Sequence, residues 1–171
     1  MSGTAHAAHH EAPHQPVFVG KVKATLEDLF PKYPTRMACL LPALWMVQEE
    51  RGWISADSIA EVAAVLGLTP AYVRGVATFY TMYHLHPVGR HFIQVCGTSP
   101  CHLCGSDEVI KAILQQTGCV ELGATSPDGR FTVAEVECLG ACGFATPILV
   151  GDDFHDSVTP ERVPGILARY P

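Results

Sequence analysis

The chain has 171 residues, 48% of them hydrophobic and 16% charged, with 11 basic and 17 acidic side chains for a formal net charge of −6. That length suits one domain or two small ones and is ample for a core without disulfides. The composition excludes wholesale disorder, the scarcity of Lys and Arg disfavours a nucleic-acid partner, and no run of 18 apolar residues is present to insert into a membrane.

Residues 1–18 form the first predicted segment, a histidine-rich arm with His6, His9, His10 and His14 among Ala, Pro and Gly. It lacks apolar periodicity and is expected to be disordered, and Met1–Pro16 has neither the basic nor the apolar stretch of a secretory signal. Residues 19–85 carry helical patterning. Val22, Leu26, Leu29 and Phe30 make a short amphipathic stretch stopped by Pro31 and Pro34. Leu40, Leu41, Leu44, Trp45 and Val47 make a second, with Pro42 in its first turn and Gly52 as its stop. Ser55 is placed to cap a third helix through Ile59, Val62, Ala63 and Leu66, closed by Gly67, and Thr69-Pro70 opens a fourth through Tyr72, Val73, Val76 and Phe79. Four short helices with short connections predict a small bundle.

Residues 86–171 change period. A strand is expected at 91–95, then a Cys/Gly/Pro loop, a helix from Ser106 through Leu114 that ends at Gly118, and a short strand at Cys119–Leu122. Phe131–Val136 alternates as a half-buried strand does, Pro147–Val150 is another short apolar run, and Thr159-Pro160-Glu161 opens a last helix. The order β–α–β–β–α predicts a small α/β sheet domain, so the fold class expected for the whole chain is α+β.

Seven cysteines, an odd number in a chain without an export signal, point to metal or redox chemistry rather than a disulfide framework. Five of them crowd into two glycine-rich segments, Cys96-Gly-Thr-Ser-Pro-Cys101-His-Leu-Cys104 and Cys138-Leu-Gly-Ala-Cys142. Glycine and proline between thiols let the backbone curl around a cofactor and turn amide N–H groups toward sulfur. Four thiolates suit zinc or an iron–sulfur cluster, and the C-x4-C and C-x3-C spacings lie within zinc's usual range. Cys101-x2-Cys104 copies the spacing of thiol–disulfide exchange, which leaves Cys96, Cys138 and Cys142 without a purpose. Two ligand sets remain open by spacing: Cys96, Cys101 and Cys104 with a distant fourth cysteine, as in plant-type ferredoxins, or Cys96 and Cys101 with Cys138 and Cys142.

The segments Leu41-Pro-Ala-Leu-Trp-Met-Val-Gln-Glu-Glu50, Gly52-Trp-Ile-Ser55, Gly75-Val-Ala-Thr-Phe-Tyr-Thr-Met82, Val95-Cys-Gly-Thr-Ser-Pro-Cys101 and Glu137-Cys-Leu-Gly-Ala-Cys142 together resemble the NuoE-type family of subunits of bacterial NADH–quinone oxidoreductase (respiratory complex I), the thioredoxin-like [2Fe–2S] ferredoxins. The resemblance runs from about Lys21 to Tyr170. It implies an N-terminal helical bundle followed by a thioredoxin-like domain. It also implies one [2Fe–2S] cluster on Cys96, Cys101, Cys138 and Cys142, with Cys104 at a position where the family requires no cysteine. Cys39 and Cys119 are expected to be small core residues.

The resemblance further implies single-electron exchange with a flavin- and NADH-binding partner subunit, in a peripheral arm at the cytoplasmic face of the inner membrane beside other arm subunits. FMN and NADH are expected on the partner, since neither G-x-G-x-x-G nor G-x-x-x-x-G-K-[ST] occurs here. The same module serves NAD-linked hydrogenases and formate dehydrogenases, the alternative host. Trp53, Phe79, Tyr80, Met82 and Tyr83 are candidate docking residues of the helical segment. From His86 onward 10 acidic residues stand against 5 basic ones, a net −5, and Glu135 and Glu137 flank Cys138. This field is expected to disfavour reduction, while amides around Gly97, Thr98, Gly140, Ala141 and Gly143 oppose it by donating to sulfur. A helix–turn–helix reading of Glu61–Arg74 is weak, because Arg74 is the only basic residue from Pro70 to Tyr80.

Overall fold

The computed structural model describes residues 15–171, and the chain divides between Pro87 and Val88 into two compact units. The histidine-rich arm lies outside the described residues up to position 14. Its expected boundary at 18 shifts, because Val17 and Phe18 are buried in the helical unit's core and donate their backbone N–H groups to Glu61 Oε1 at 2.7 and 2.8 Å.

The helical unit contains α1 (Gly20–Leu29), α2 (Leu40–Arg51), α3 (Ala56–Leu66) and α4 (Pro70–Phe79), with 3-10 turns at Phe30–Lys32 and Arg36–Cys39. The capping signals act as the sequence predicts. Ser55 Oγ accepts from Ser58 N–H at 3.1 Å, Thr69 Oγ1 accepts from Tyr72 N–H at 3.3 Å with Pro70 in the first turn, and Gly52 and Gly67 end their helices in the left-handed conformation. Leu26, Cys39, Leu44, Val47, Val62 and Val73 fill the core. Of the candidate docking residues, Phe79, Tyr80 and Met82 are exposed and Trp53 is half-buried. Tyr83 is a correction: it is 5% exposed, and its hydroxyl donates to Leu41 O at 2.9 Å, so it belongs to the core. Helices α3 and α4 meet at 117° as a helix–turn–helix does, yet the exposed positions of α4 offer Arg74 as their single cation.

The second unit is built on a four-stranded sheet of order β2-β1-β3-β4, with β1 His91–Cys96, β2 Phe131–Val136, β3 Ile148–Val150 and β4 Asp153–His155. Strands β1 and β2 are parallel, in register from His91↔Phe131 to Cys96↔Val136, while β1–β3 and β3–β4 are antiparallel. Between β1 and β2 run α5 (Ser99–Leu103) and α6 (Ser106–Thr117), and α7 (Val163–Leu167) follows the sheet. The core joins Ile93, Val95, Phe131, Val133 and Ile148 of the strands to Val109 and Ile113 of α6 and Ile166 and Leu167 of α7. Cys119 is buried there beside the Phe131 carbonyl, as Cys39 is in the helical unit.

Four elements differ from the sequence expectation. Cys119–Leu122 is no strand: Gly118 and Gly123, at φ 75° and 83°, break the extended backbone, and Val120 stands 86% exposed. The loop expected after β1 contains α5, with Pro100 in its first turn. Strand β4 follows a turn too short to separate from β3 by pattern alone. The last helix starts at Val163 rather than near Thr159, because Pro164 has no N–H and is accommodated only in a first turn.

Gly89 shows why one position tolerates no side chain: a Cβ there would stand 2.6–2.9 Å from the Phe131 backbone, and its N–H donates to Thr132 Oγ1 at 2.7 Å. Gly89→Ala is expected to cost about 1–3 kcal/mol, measured by denaturant unfolding. A second prediction concerns His155, which is buried with Nε2 2.7 Å from the Tyr170 hydroxyl. Burial lowers its pKa from 6.5, and the Arg169 and Arg162 charges add to the effect while Asp153 opposes it. The unfolded chain therefore binds the proton more readily. His155's contribution is fully present above pH 6.5 and is lost as pH falls below it. Unfolding stability should hold above about pH 6.5 and drop as pH falls below it, and His155→Gln should flatten that drop.

Candidate metal centre

The parallel pairing of β1 and β2 puts the carboxyl ends of both strands on one edge of the sheet. Cys96 is the last residue of β1, opposite Val136, and Cys138 lies two residues beyond that partner. The two cysteine segments thus start side by side for a reason of register. From Cys96 the chain turns into α5, which buries Cys101; from Cys138 it turns at Gly140 (φ 74°) toward the 3-10 turn Cys142–Phe144.

Cys96 and Cys101 are each 1% exposed, and their sulfurs lie 3.3 Å apart. A tetrahedral ion with sulfur bonds of about 2.3 Å holds two thiolates roughly 3.8 Å apart, so this pair sits about half an ångström closer than one shared ion would hold it. Burial pushes the Cys96 thiol up, but the Thr98 hydroxyl and the Thr98 and Leu139 amides outweigh it and bring it down to about 7. Cys101 moves the other way, to about 11, through burial first and then through its neighbours Cys96 and Cys142. In this couple the Cys101 thiol donates to Cys96, the sulfur whose pKa is brought down.

Cys138 and Cys142 are exposed, and Gly140 N–H donates to Cys138 Sγ at 3.3 Å. The second segment reaches the first through Leu139 N–H, which donates to Cys96, and Cys142 is near enough for its charge to raise the Cys101 pKa. Thr146 Oγ1 also donates to Cys101 O at 3.4 Å. As they stand, no three His, Cys, Asp or Glu side chains among the described residues are gathered tightly enough to hold an ion.

Cys104 ends α5, exposed, with its N–H bonded back to Pro100 and Cys101 carbonyls at 3.1 and 3.0 Å. The amide expectations are met in part. Thr98 and Gly140 donate to sulfur, but Gly97 N–H is committed to Val136 O at 2.9 Å and is not free to do so. Leu139 replaces it, a donor missed because a leucine amide carries no signal of its own in a sequence.

A family model described as thioredoxin-like [2Fe–2S] ferredoxin matches residues 26–171. The chain is 38% identical over 149 residues to the second of the E-type subunits of NADH-quinone oxidoreductase from Rhizobium meliloti, covering 87% of this chain and 88% of that one. It is 42% identical over 146 residues to NADH-quinone oxidoreductase subunit 2 of Thermus thermophilus, covering 84% and 80%. The E-type subunit of NADH-quinone oxidoreductase from Pseudomonas aeruginosa is 38% identical over 148 residues, covering 86% and 89%. Among solved structures, NAD+-reducing [NiFe]-hydrogenase in the H2-reduced state shares the fold, with a TM-score of 0.66 at 20% identity over 77% of this chain and 22% of that chain.

Accessibility divides the thiols into two classes. With the protein stripped of metal and kept native, Ellman's reagent is expected to titrate Cys104, Cys138 and Cys142 rapidly. Cys39, Cys96, Cys101 and Cys119 should react only on unfolding.

Proposed function

The chain belongs to the thioredoxin-like [2Fe–2S] ferredoxin family, and on that premise we propose that it is the one-electron carrier subunit of an NADH–quinone oxidoreductase, with one [2Fe–2S] cluster held by Cys96, Cys101, Cys138 and Cys142. The observation that carries the ligand set is the register of β1 with β2, which starts both cysteine pairs at one sheet edge with Cys96 and Cys101 Sγ already 3.3 Å apart. Four soft thiol donors on two loops suit such a cluster, and bound there it supplies reversible one-electron chemistry.

The chain's own residues hold and insulate. Cys96 and Cys101 supply a dry side, Cys138 and Cys142 a wet one. The N–H groups of Thr98, Leu139 and Gly140 and the Thr98 hydroxyl donate to sulfur and stabilise negative charge there. A thiol–disulfide role for Cys101 and Cys104 is disfavoured, because exchange needs an accessible thiol of low pKa, whereas Cys101 is buried and pushed up to about 11.

NADH and FMN belong on a partner subunit in this reading, and electrons pass singly between that flavin and this chain. Relatives at 38–42% identity over most of their length support NADH–quinone oxidoreductase as host, whereas the likeness to a hydrogenase is one of fold. Placement in a peripheral arm at the cytoplasmic face follows from the same reading. Among the described residues no single helix is long and apolar enough to cross a membrane.

Protein purified anaerobically is expected to be red-brown, to hold two iron and two sulfide per chain, and to give an EPR signal on reduction. Replacing Cys96, Cys101, Cys138 or Cys142 by Ser should perturb or abolish that spectrum, and Cys104→Ser should leave it intact. Zinc with no visible absorption, or a spectrum lost with Cys104→Ser, would overturn the proposal.

A further inference from the structure

Glycine follows Cys96 in the first loop, and its reason is not backbone conformation, since Gly97 is absent from the glycines with positive φ. Its reason is space. The three atoms nearest to where a Gly97 Cβ would stand all belong to Glu135: Oε1 overlaps that point, and Cδ and Cγ lie 2.7 Å from it. Glu135 sits on β2 opposite Val95, so the register that brings the cysteine loops together also lays this carboxylate across the residue next to Cys96. Gly97 is pinned there by its N–H bond, at 2.9 Å, to the carbonyl of Val136, the next residue along β2.

We infer that Glu135 is a fixed electrostatic determinant of the centre's reduction potential, held against the Cys96 loop by the missing side chain of Gly97. The inference rests on the proposed cluster. Adding one electron there adds one negative charge, and a carboxylate a few ångströms from a ligand-bearing backbone raises the free energy of the reduced form more than that of the oxidised form. Glu135 therefore lowers the potential. Because the side chain is exposed, the effect is screened by salt and is largest at low ionic strength. Glu137, which directly precedes Cys138, meets Cys96 through its backbone carbonyl, 3.9 Å from the sulfur.

The test is an EPR-monitored redox titration of the anaerobically purified, cluster-loaded chain at low and high ionic strength. Glu135→Gln should leave iron, sulfide and the EPR line shape unchanged and move the midpoint potential to a more positive value, with the shift shrinking as salt is added. Gly97→Ala should move it in the same direction by displacing the carboxylate, and the double substitution should shift it no further than Glu135→Gln alone. An unshifted midpoint in Glu135→Gln, or fully additive shifts in the double variant, overturns the inference. Should Gly97→Ala fail to load iron, Glu135→Gln and its salt dependence decide alone. A native chain without iron and sulfide would instead sink the proposed function, a distinguishable failure.

Discussion

Everything at this centre depends on one pairing, the parallel ladder between β1 and β2 from His91↔Phe131 to Cys96↔Val136. A slip of one residue would reverse which face each β2 side chain meets and take Phe131 and Val133 out of the core. The register is therefore fixed by hydrophobic burial, and the chemistry at the strand ends inherits that precision. Two segments 42 positions apart, counted from Cys96 to Cys138, start at one edge because apolar residues behind them have only one way to pack. The tight approach of Gly89 to the Phe131 backbone secures the entry to β1 in the same way.

The centre is chemically lopsided. One pair of thiols is buried and coupled, with a thiolate favoured on Cys96 and a proton on Cys101; the other pair is solvent-exposed. Hydrogen-bond donors are supplied by both loops, so each stabilises charge on sulfur. The acidic surplus of the second unit and the carboxylate seated on Gly97 act in the opposite sense. In the proposed centre, amide dipoles and nearby carboxylates act on the potential in opposition.

Much of this was legible in the residues. Ser55, Thr69 and the glycines at 52 and 67 announced the helix ends because capping is local physics, satisfied within four residues of the signal. Cysteine spacing disclosed the two loops, while the resemblance was needed to choose between the ligand sets. What the local signals do not carry is non-local. Tyr83 has the look of a surface aromatic in sequence, yet its hydroxyl reaches Leu41, 42 residues away. Val17 and Phe18 read as the end of an arm, yet Glu61 takes their amides. The fate of Gly97 N–H and the donor role of Leu139 are set by strand register, which spacing within one loop does not encode.

Strands β2 and β3 flank β1 on opposite sides, and β3 runs antiparallel to it, so the connection from Val136 to Ile148 must cross above the end of β1. That crossing is the stretch bearing Cys138 and Cys142. It is a strap drawn over Cys96, anchored at both ends by strands it cannot leave. The two exposed thiols thus ride on a segment tethered at both ends, which limits how far they can travel from the end of β1.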